Sequence, residues 1–359
     1  MTEIARRRRF LKGCVAAWAA LPLLARGQPG DVATIMHVRD ASIARLPASA
    51  EAQKSFDSPA PRAANAGRWN ARAPLPFPRS EMASAAAWNG RMHVVGGYGN
   101  LRLDRAYHHI YDAAKNSWSE APALPRGASH IGVATANGML YAIGGFVEQN
   151  RLPHDDAFVF DIGKNEWRAI APLPRARAAS CVVSLNGKIH VIAGASGRDI
   201  KKSVDWHEVY DPATDKWESR APLPDPRDHA GAEQLNGRIH VIGGGFDGSN
   251  RNTGLHHVYD AKTDTWEIRA PLPTPRNGHA TAVLREKIFV MGGESAGKVH
   301  GQNEGYDAKA DRWEGYAPLP TPRHGAGAVS IGNTIYFAGG APVAGTTFLT
   351  SVNEAFSPG

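Results

Sequence analysis

The stretch that decides the fold covers residues 276–320, and its signals come in a fixed order: Arg276, Ile288-Phe289-Val290-Met291-Gly292-Gly293, Tyr306-Asp307, Trp313, then Ala317-Pro318-Leu319-Pro320. Two short apolar runs, Thr281-Ala282-Val283-Leu284 and residues 288–291, flank Arg285-Glu286-Lys287, which predicts a β-hairpin. Gly292-Gly293 ends the second strand, where the backbone needs a positive φ or a close approach that a side chain would block. A third strand ends at Tyr306-Asp307, whose carboxylate is suited to bracing the following turn. Trp313 falls on a fourth strand, its ring suited to packing on a neighbouring sheet. The proline-rich link cannot continue a ladder, so it crosses to the next sheet.

The same order repeats along the chain. Tryptophans stand at 69, 118, 167, 217, 266 and 313, at spacings of 49, 49, 50, 49 and 47. Glycine pairs begin at Gly96, Gly144, Gly243, Gly292 and Gly339, with Ala193-Gly194 in the third unit. Asn137-Gly138, Asn186-Gly187 and Asn236-Gly237 occupy the hairpin turn of sister units, where Asn-Gly is the strongest short-range turn signal. A period near 50 residues built from short strands and turns is that of a propeller blade. The ends are unequal and complementary. The unit from Arg323 to Phe356 has three strands and no tryptophan, while Arg68-Trp69-Asn70-Ala71 is a lone fourth strand. The prediction is an all-β, six-bladed propeller over residues 66–359, its last blade closed by the N-terminal strand around Trp69, with no edge left to pair with other chains.

Ahead of the repeats, residues 1–27 read as an export signal. Arg7-Arg8-Arg9-Phe10-Leu11-Lys12 is similar to the twin-arginine motif, the apolar run behind it is too short for an ordinary span, and Ala25-Arg26-Gly27 offers small residues for a cut before Gln28. The expected location is periplasmic or secreted, with no membrane span after removal. Residues 28–65, rich in Ala, Ser and Pro, read as an arm or tether. The formal charge of +7 is concentrated in the leader, whose six basic residues and one acid leave about +2 for the rest, so no nucleic-acid footprint is expected. Cys181 is the single cysteine outside the leader, so no internal disulfide forms, and its apolar strand predicts a buried, inert thiol. The chain is expected to be a monomer without a cofactor.

The order of Gly-Gly, Tyr-Asp and Trp resembles the kelch repeat across residues 66–357. That resemblance implies the propeller fold and a mouth formed by the links and by the loops after the second strands. Arg79, Arg177, Arg227, Arg276 and Arg323 stand at matching link positions, with Arg126 loosely equivalent. Two readings of these arginines stay open. They form a ring of guanidiniums for an anionic small molecule, a sugar acid or an acidic protein segment, as in kelch adaptors, or each braces its own link through backbone carbonyls. The variable loops add Tyr98, Phe146, Glu148, Arg198, Asp199, Phe246, Asp247, Asn250, Arg251, Glu294, Lys298 and His300. Arg198, Phe246 and Asp247 join the arginines as expected ligand contacts.

The periplasmic sialic-acid mutarotases are six-bladed kelch proteins with an acid/base Glu near an Arg. Similarity to them implies Glu294 as proton shuttle, with Arg276 or Arg323 holding a substrate carboxylate. This chain lacks their long inserts and is more regular. Galactose oxidase, a kelch-like copper enzyme, is a further alternative, but its ligand set does not map onto these residues. Among the 15 histidines, His93, His190 and His240 replace aromatic residues at one strand position and read as packing; His130 and His229, at matching places near the channel, are the pair to test for metal.

Overall fold

Glycine decides where each second strand stops. At Gly292 the backbone has φ 66, and a Cβ there would lie 2.4 Å from the Arg323 carbonyl oxygen; at Gly293 φ is 102 and the clash is with the Asn277 oxygen at 2.7 Å. The chain must turn left-handed against the neighbouring link, and only glycine does this without strain. In the third unit Ala193 takes the first of these positions at φ 57. A computed structural model describes residues 66–82, 84–247, 251–345 and 348–359. The expected leader over 1–27, the arm over 28–65 and the loop candidate Asn250 lie outside the described residues.

The described strands form six four-stranded antiparallel sheets. Blade V contains Ala280–Leu284, Lys287–Met291, Asn303–Asp307 and Arg312–Gly315, in chain order from the channel outward. Blades I to IV repeat this plan, with first strands at Ala86–Trp88, Gly132–Ala136, Cys181–Leu185 and Gly231–Leu235. Blade VI takes Gly327–Ile331, Thr334–Ala338 and Asn353–Ser357 from the C-terminal end and Arg68–Ala71 from the N-terminal end. The closing register is antiparallel, with Trp69 opposite Phe356. Among the described residues no helix is long and apolar enough to cross a membrane.

The core is a circle of layers between blades. Each of six apolar clusters joins two neighbours: Ile288, Val290 and Tyr306 of blade V meet Leu235 and Ile242 of blade IV, while Met92, Val94 and Tyr111 of blade I meet Val329, Tyr336 and Ala338 of blade VI. Trp313 lies opposite Tyr306 at a centroid distance of 5.2 Å and donates Nε1–H to the Ala270 carbonyl at 2.8 Å. Ala270 belongs to the preceding link, and its N–H is bonded to Asp311, which also accepts from the Tyr306 hydroxyl. One link residue is therefore held through both its N–H and its carbonyl by the blade that follows. Asp307 braces its turn as expected, accepting from the N–H groups of Lys309 and Ala310.

Trp69 makes the same contact in the closing strand, donating to Ala317 at 2.8 Å and packing on Phe356 at 5.0 Å. Trp69→Ala is expected to cost about 2–3 kcal/mol, at the low side for a large-to-small change because the ring is half-buried. The urea midpoint measures this; an unchanged midpoint would show that ring closure adds nothing to stability.

Candidate ligand site at the link-side mouth

Each link delivers one residue in the left-handed region just before its first strand: Glu81, His130, Ala179, His229, Gly278 and Gly325, with φ between 51 and 62. That conformation turns each peptide toward its neighbour, and the six close into a ring of main-chain hydrogen bonds. His130 N–H donates to the Glu81 oxygen at 2.7 Å, and the pattern continues through Ala179, His229, Gly278 and Gly325, whose oxygen accepts from Met82 N–H at 3.4 Å. Side chains at the three larger ring positions, Glu81, His130 and His229, converge around a cavity of about 20 Å³.

Above this ring the loops after the second strands form a collar. The Glu294–Ser295 strand pairs with Lys298–Val299, and Glu294 is bridged to Asn277 of the link beneath it. Neighbouring loops are latched to one another: Gln149 N–H to Asp104 at 2.9 Å, Arg198 to Glu148 at 2.5 Å, Ser203 N–H to Asp247 at 2.8 Å, Asn252 to the Glu294 carbonyl at 3.0 Å, and Gly345 N–H to the Glu294 carboxylate at 2.8 Å.

The five link arginines are not in this mouth. Arg79, Arg177, Arg227, Arg276 and Arg323 are all 0% exposed. Arg276 donates to the carbonyls of Thr274, Val290 and Gly292 and to Glu304 at 2.5 Å; Arg323 repeats this with Thr321, Phe337, Gly339 and Glu354. Arg177 pairs with Glu208. Arg79 and Arg227 have histidines, His109 and His257, at the same third-strand place, and burial lowers their guanidinium pKa values to about 9 and about 10. The expected guanidinium ring for an anion is thus corrected in favour of the other reading: each arginine ties its link to the second strand of its own blade, and Arg177, Arg276 and Arg323 reach the third strand as well. The signal was a Glu at the second place of three third strands, Glu208, Glu304 and Glu354, which are buried.

The remaining expected contacts divide. Phe246 is buried and Asp247 is engaged with both Ser203 groups, so both serve the collar. Arg198 is exposed but paired with Glu148. Glu294 is where sequence placed it, at the mouth, with a side chain 25% exposed. Behind it His324 lies 3.5 Å from the Glu294 carboxylate and 3.1 Å from Glu81, which is also 3.1 Å from His130. Burial works against charge on His324, but Glu294 and Glu81 push its pKa up to about 9. Burial likewise opposes ionisation of Glu81, yet His130 and His324 hold it well below the usual carboxylate range. His130 is driven down to about 4 by burial, against the pull of Glu81. His229 is raised by Asp228, 2.5 Å away, despite its burial. Sequence reading found His130, His229 and Glu294 but not Glu81 or His324.

Below the ring runs the central channel, a cavity of about 380 Å³ lined by first-strand residues including Thr135, Ser184, Glu233, Gln234, Thr281 and Ser330. Burial pushes Glu233 up to about 7, only partly offset by Thr281. A charged residue in a strand whose sisters carry Val183 or Ala282 was the overlooked sign. Cys181 is buried with its thiol bonded to the Ala230 carbonyl, and burial raises it to about 12. His93, His190 and His240 pair with His108, His207 and His256 at 2.9 Å, a packing role inside the blades.

A family model described as the KLHDC2/KLHL20/DRC7 Kelch-repeats domain matches residues 129–340, more than half of the chain. A kelch repeat-containing protein of Arabidopsis thaliana, At3g27220, is 38% identical over 76 residues, covering 20% of this chain and 18% of that protein. Among solved structures, that of YjhT is similar with a TM-score of 0.67 at 16% identity, covering 78% of this chain and 95% of that one. Likeness at that identity speaks to the fold alone.

Proposed function

Given that this chain belongs to the kelch-repeat family, we propose that it is a binding propeller for a small hydroxylated ligand at the link-side mouth, with mutarotation of a reducing sugar or sugar acid as its chemistry. The observation that carries this is Glu294, a partly exposed carboxylate fixed by the Gly345 N–H and backed by His324. Interconverting anomers requires a base that takes the proton of the anomeric hydroxyl while water protonates the ring oxygen. The ring C–O bond then breaks to the open-chain carbonyl and reforms on its other face, with both protons returned. A positioned carboxylate can serve as that base and as the acid of the reverse step. His324, 3% exposed, does not reach a ligand; it holds the carboxylate in place and balances its charge. Burial of Arg276 and Arg323 removes them as receptors for a substrate carboxylate, so neutral sugars belong in the test beside sugar acids. The twin-arginine-like start supports a folded protein acting outside the cytoplasm.

Anomer exchange followed by NMR, with N-acetylneuraminic acid and a panel of neutral aldoses, tests the reading. Glu294→Gln is expected to lose about 10²–10⁴-fold in exchange rate. Wild-type protein that binds a sugar without accelerating exchange would leave a binding module, and one that does neither would end the proposal.

A further inference from the structure

Three side chains of the hydrogen-bonded ring point at one another without a common partner. Donor atoms of Glu81, His130 and His229 all lie within 4.8 Å of one another, and they border the 20 Å³ cavity. A space of that size holds one water or one monoatomic ion. We propose that Glu81, His130 and His229 form a binding site for a single divalent transition-metal ion of the Zn²⁺ class, uniting blades I, II and IV at the neck of the channel.

The ligand set has the right chemistry. Two imidazoles and a carboxylate are a familiar three-residue set for such an ion, leaving a fourth position toward the cavity. The separation of Glu81 from His130, 3.1 Å, is close to the roughly 3.3 Å between ligand atoms of a tetrahedral zinc site, so the fit mainly requires His229 to close in. Two of the three ligands, His229 and Glu81, are already oriented from behind. Asp228 takes His229 Nδ1 at 2.5 Å and accepts from Ser203 at 2.6 Å, which leaves Nε2 of His229 for the ion. That is the carboxylate–histidine–metal arrangement that fixes a ligand's tautomer and orientation. His324 contacts one oxygen of Glu81, and the other faces His130.

The other ring positions make room. A Cβ at Gly325 would fall 2.7 Å from the Glu81 carboxylate, and Ala179 and Gly278 carry nothing large enough to enter the cavity. Lys201 is held aside over the Phe146 ring at 4.4 Å and by Asn150 at 3.0 Å, while Glu81 and Asp228 supply two negative charges against the one on His324 behind Glu81. Glu294 is not among the ligands, so the site stands or falls apart from the mutarotase reading.

The test uses the whole chain without a histidine tag, freed of metal by a chelator and titrated with Zn²⁺ against a chromophoric competitor. One equivalent is expected to bind and to raise the melting temperature by several degrees. His229→Gln and His130→Gln are each expected to lose on the order of 100-fold in affinity, and Asp228→Asn about 10–100-fold through the orienting contact. X-ray absorption on the zinc-loaded wild type, which needs no variant to fold, is expected to show two imidazoles and an oxygen ligand. Absence of stoichiometric binding would overturn the site. So would one-to-one binding that survives His130→Gln/His229→Gln but is lost in His154→Ala/Asp156→Asn, which would place the ion on the half-buried His154-Asp155-Asp156 group.

Discussion

Replacing Arg323 with methionine is expected to destabilise the propeller by about 3–5 kcal/mol, the loss typical of breaking a buried ion pair from one side. The guanidinium is fully buried and donates to three carbonyls as well as to Glu354, so the substitution strands a buried carboxylate and orphans the Thr321, Phe337 and Gly339 oxygens. Methionine fills much of the volume, so the effect reads lost pairing more than a cavity. The paired substitution Arg323→Met/Glu354→Leu is expected to recover a large part of the loss, because removing both charges also removes their desolvation cost. Urea midpoints of the three proteins measure this. A single variant within about 1 kcal/mol of wild type would mean that the guanidinium works in solvent. It would return Arg323 to the mouth as an anion receptor.

That variant also tests what the sequence made legible. Period, blade count and closure were readable because they depend on spacing: six tryptophans near 49 residues apart, each facing its third-strand aromatic, need no side-chain detail. The direction of an arginine does depend on such detail. A Pro-x-Arg link reads the same whether its guanidinium faces the mouth or the blade, and the deciding partner sits about 30 residues later as Glu208, Glu304 or Glu354. The ring residues were half legible. His130 and His229 stood out as large polar residues where other blades place Ala179, Gly278 and Gly325, but Glu81 was not aligned with them. His324 precedes the ring residue Gly325 in the last link and meets Glu81 only because adjacent blades close the circle.

Acid is expected to unfold this protein above the pH at which its paired carboxylates titrate. His93, His108, His190, His207, His240, His257 and His279 are buried and neutral, their pKa values lowered by burial to about 4, 3, 3, 4, 4, 2 and 3, and His256 is lowered well below its usual value. The sign follows from proton binding. Near pH 6.5 and below, the unfolded chain takes up protons that the folded chain refuses, so stability is complete above that value and falls as pH drops toward the folded pKa values. Each such group removes about 1.4 kcal/mol per pH unit, and counting one proton per His–His pair plus His257 and His279 gives roughly 7 kcal/mol per unit. Against a typical stability of about 5–15 kcal/mol, this places the unfolding midpoint roughly 0.7–2 units below 6.5, at about pH 4.4–5.8. Carboxylates such as Asp211 and Asp307, held low by Lys188 and by the turn N–H groups respectively, lose their contribution only at lower pH. Tryptophan fluorescence and circular dichroism along a pH titration check the midpoint. The chain supplies its own control: blade VI has Tyr336 and Asn353 where blade IV has His240 and His256. His240→Tyr/His256→Asn is therefore expected to keep the blade and shift the midpoint to lower pH. A melting temperature flat between pH 7 and pH 5, or a midpoint that the graft does not move, would show that these histidines accept protons in the folded state and that the pairs do not control acid stability.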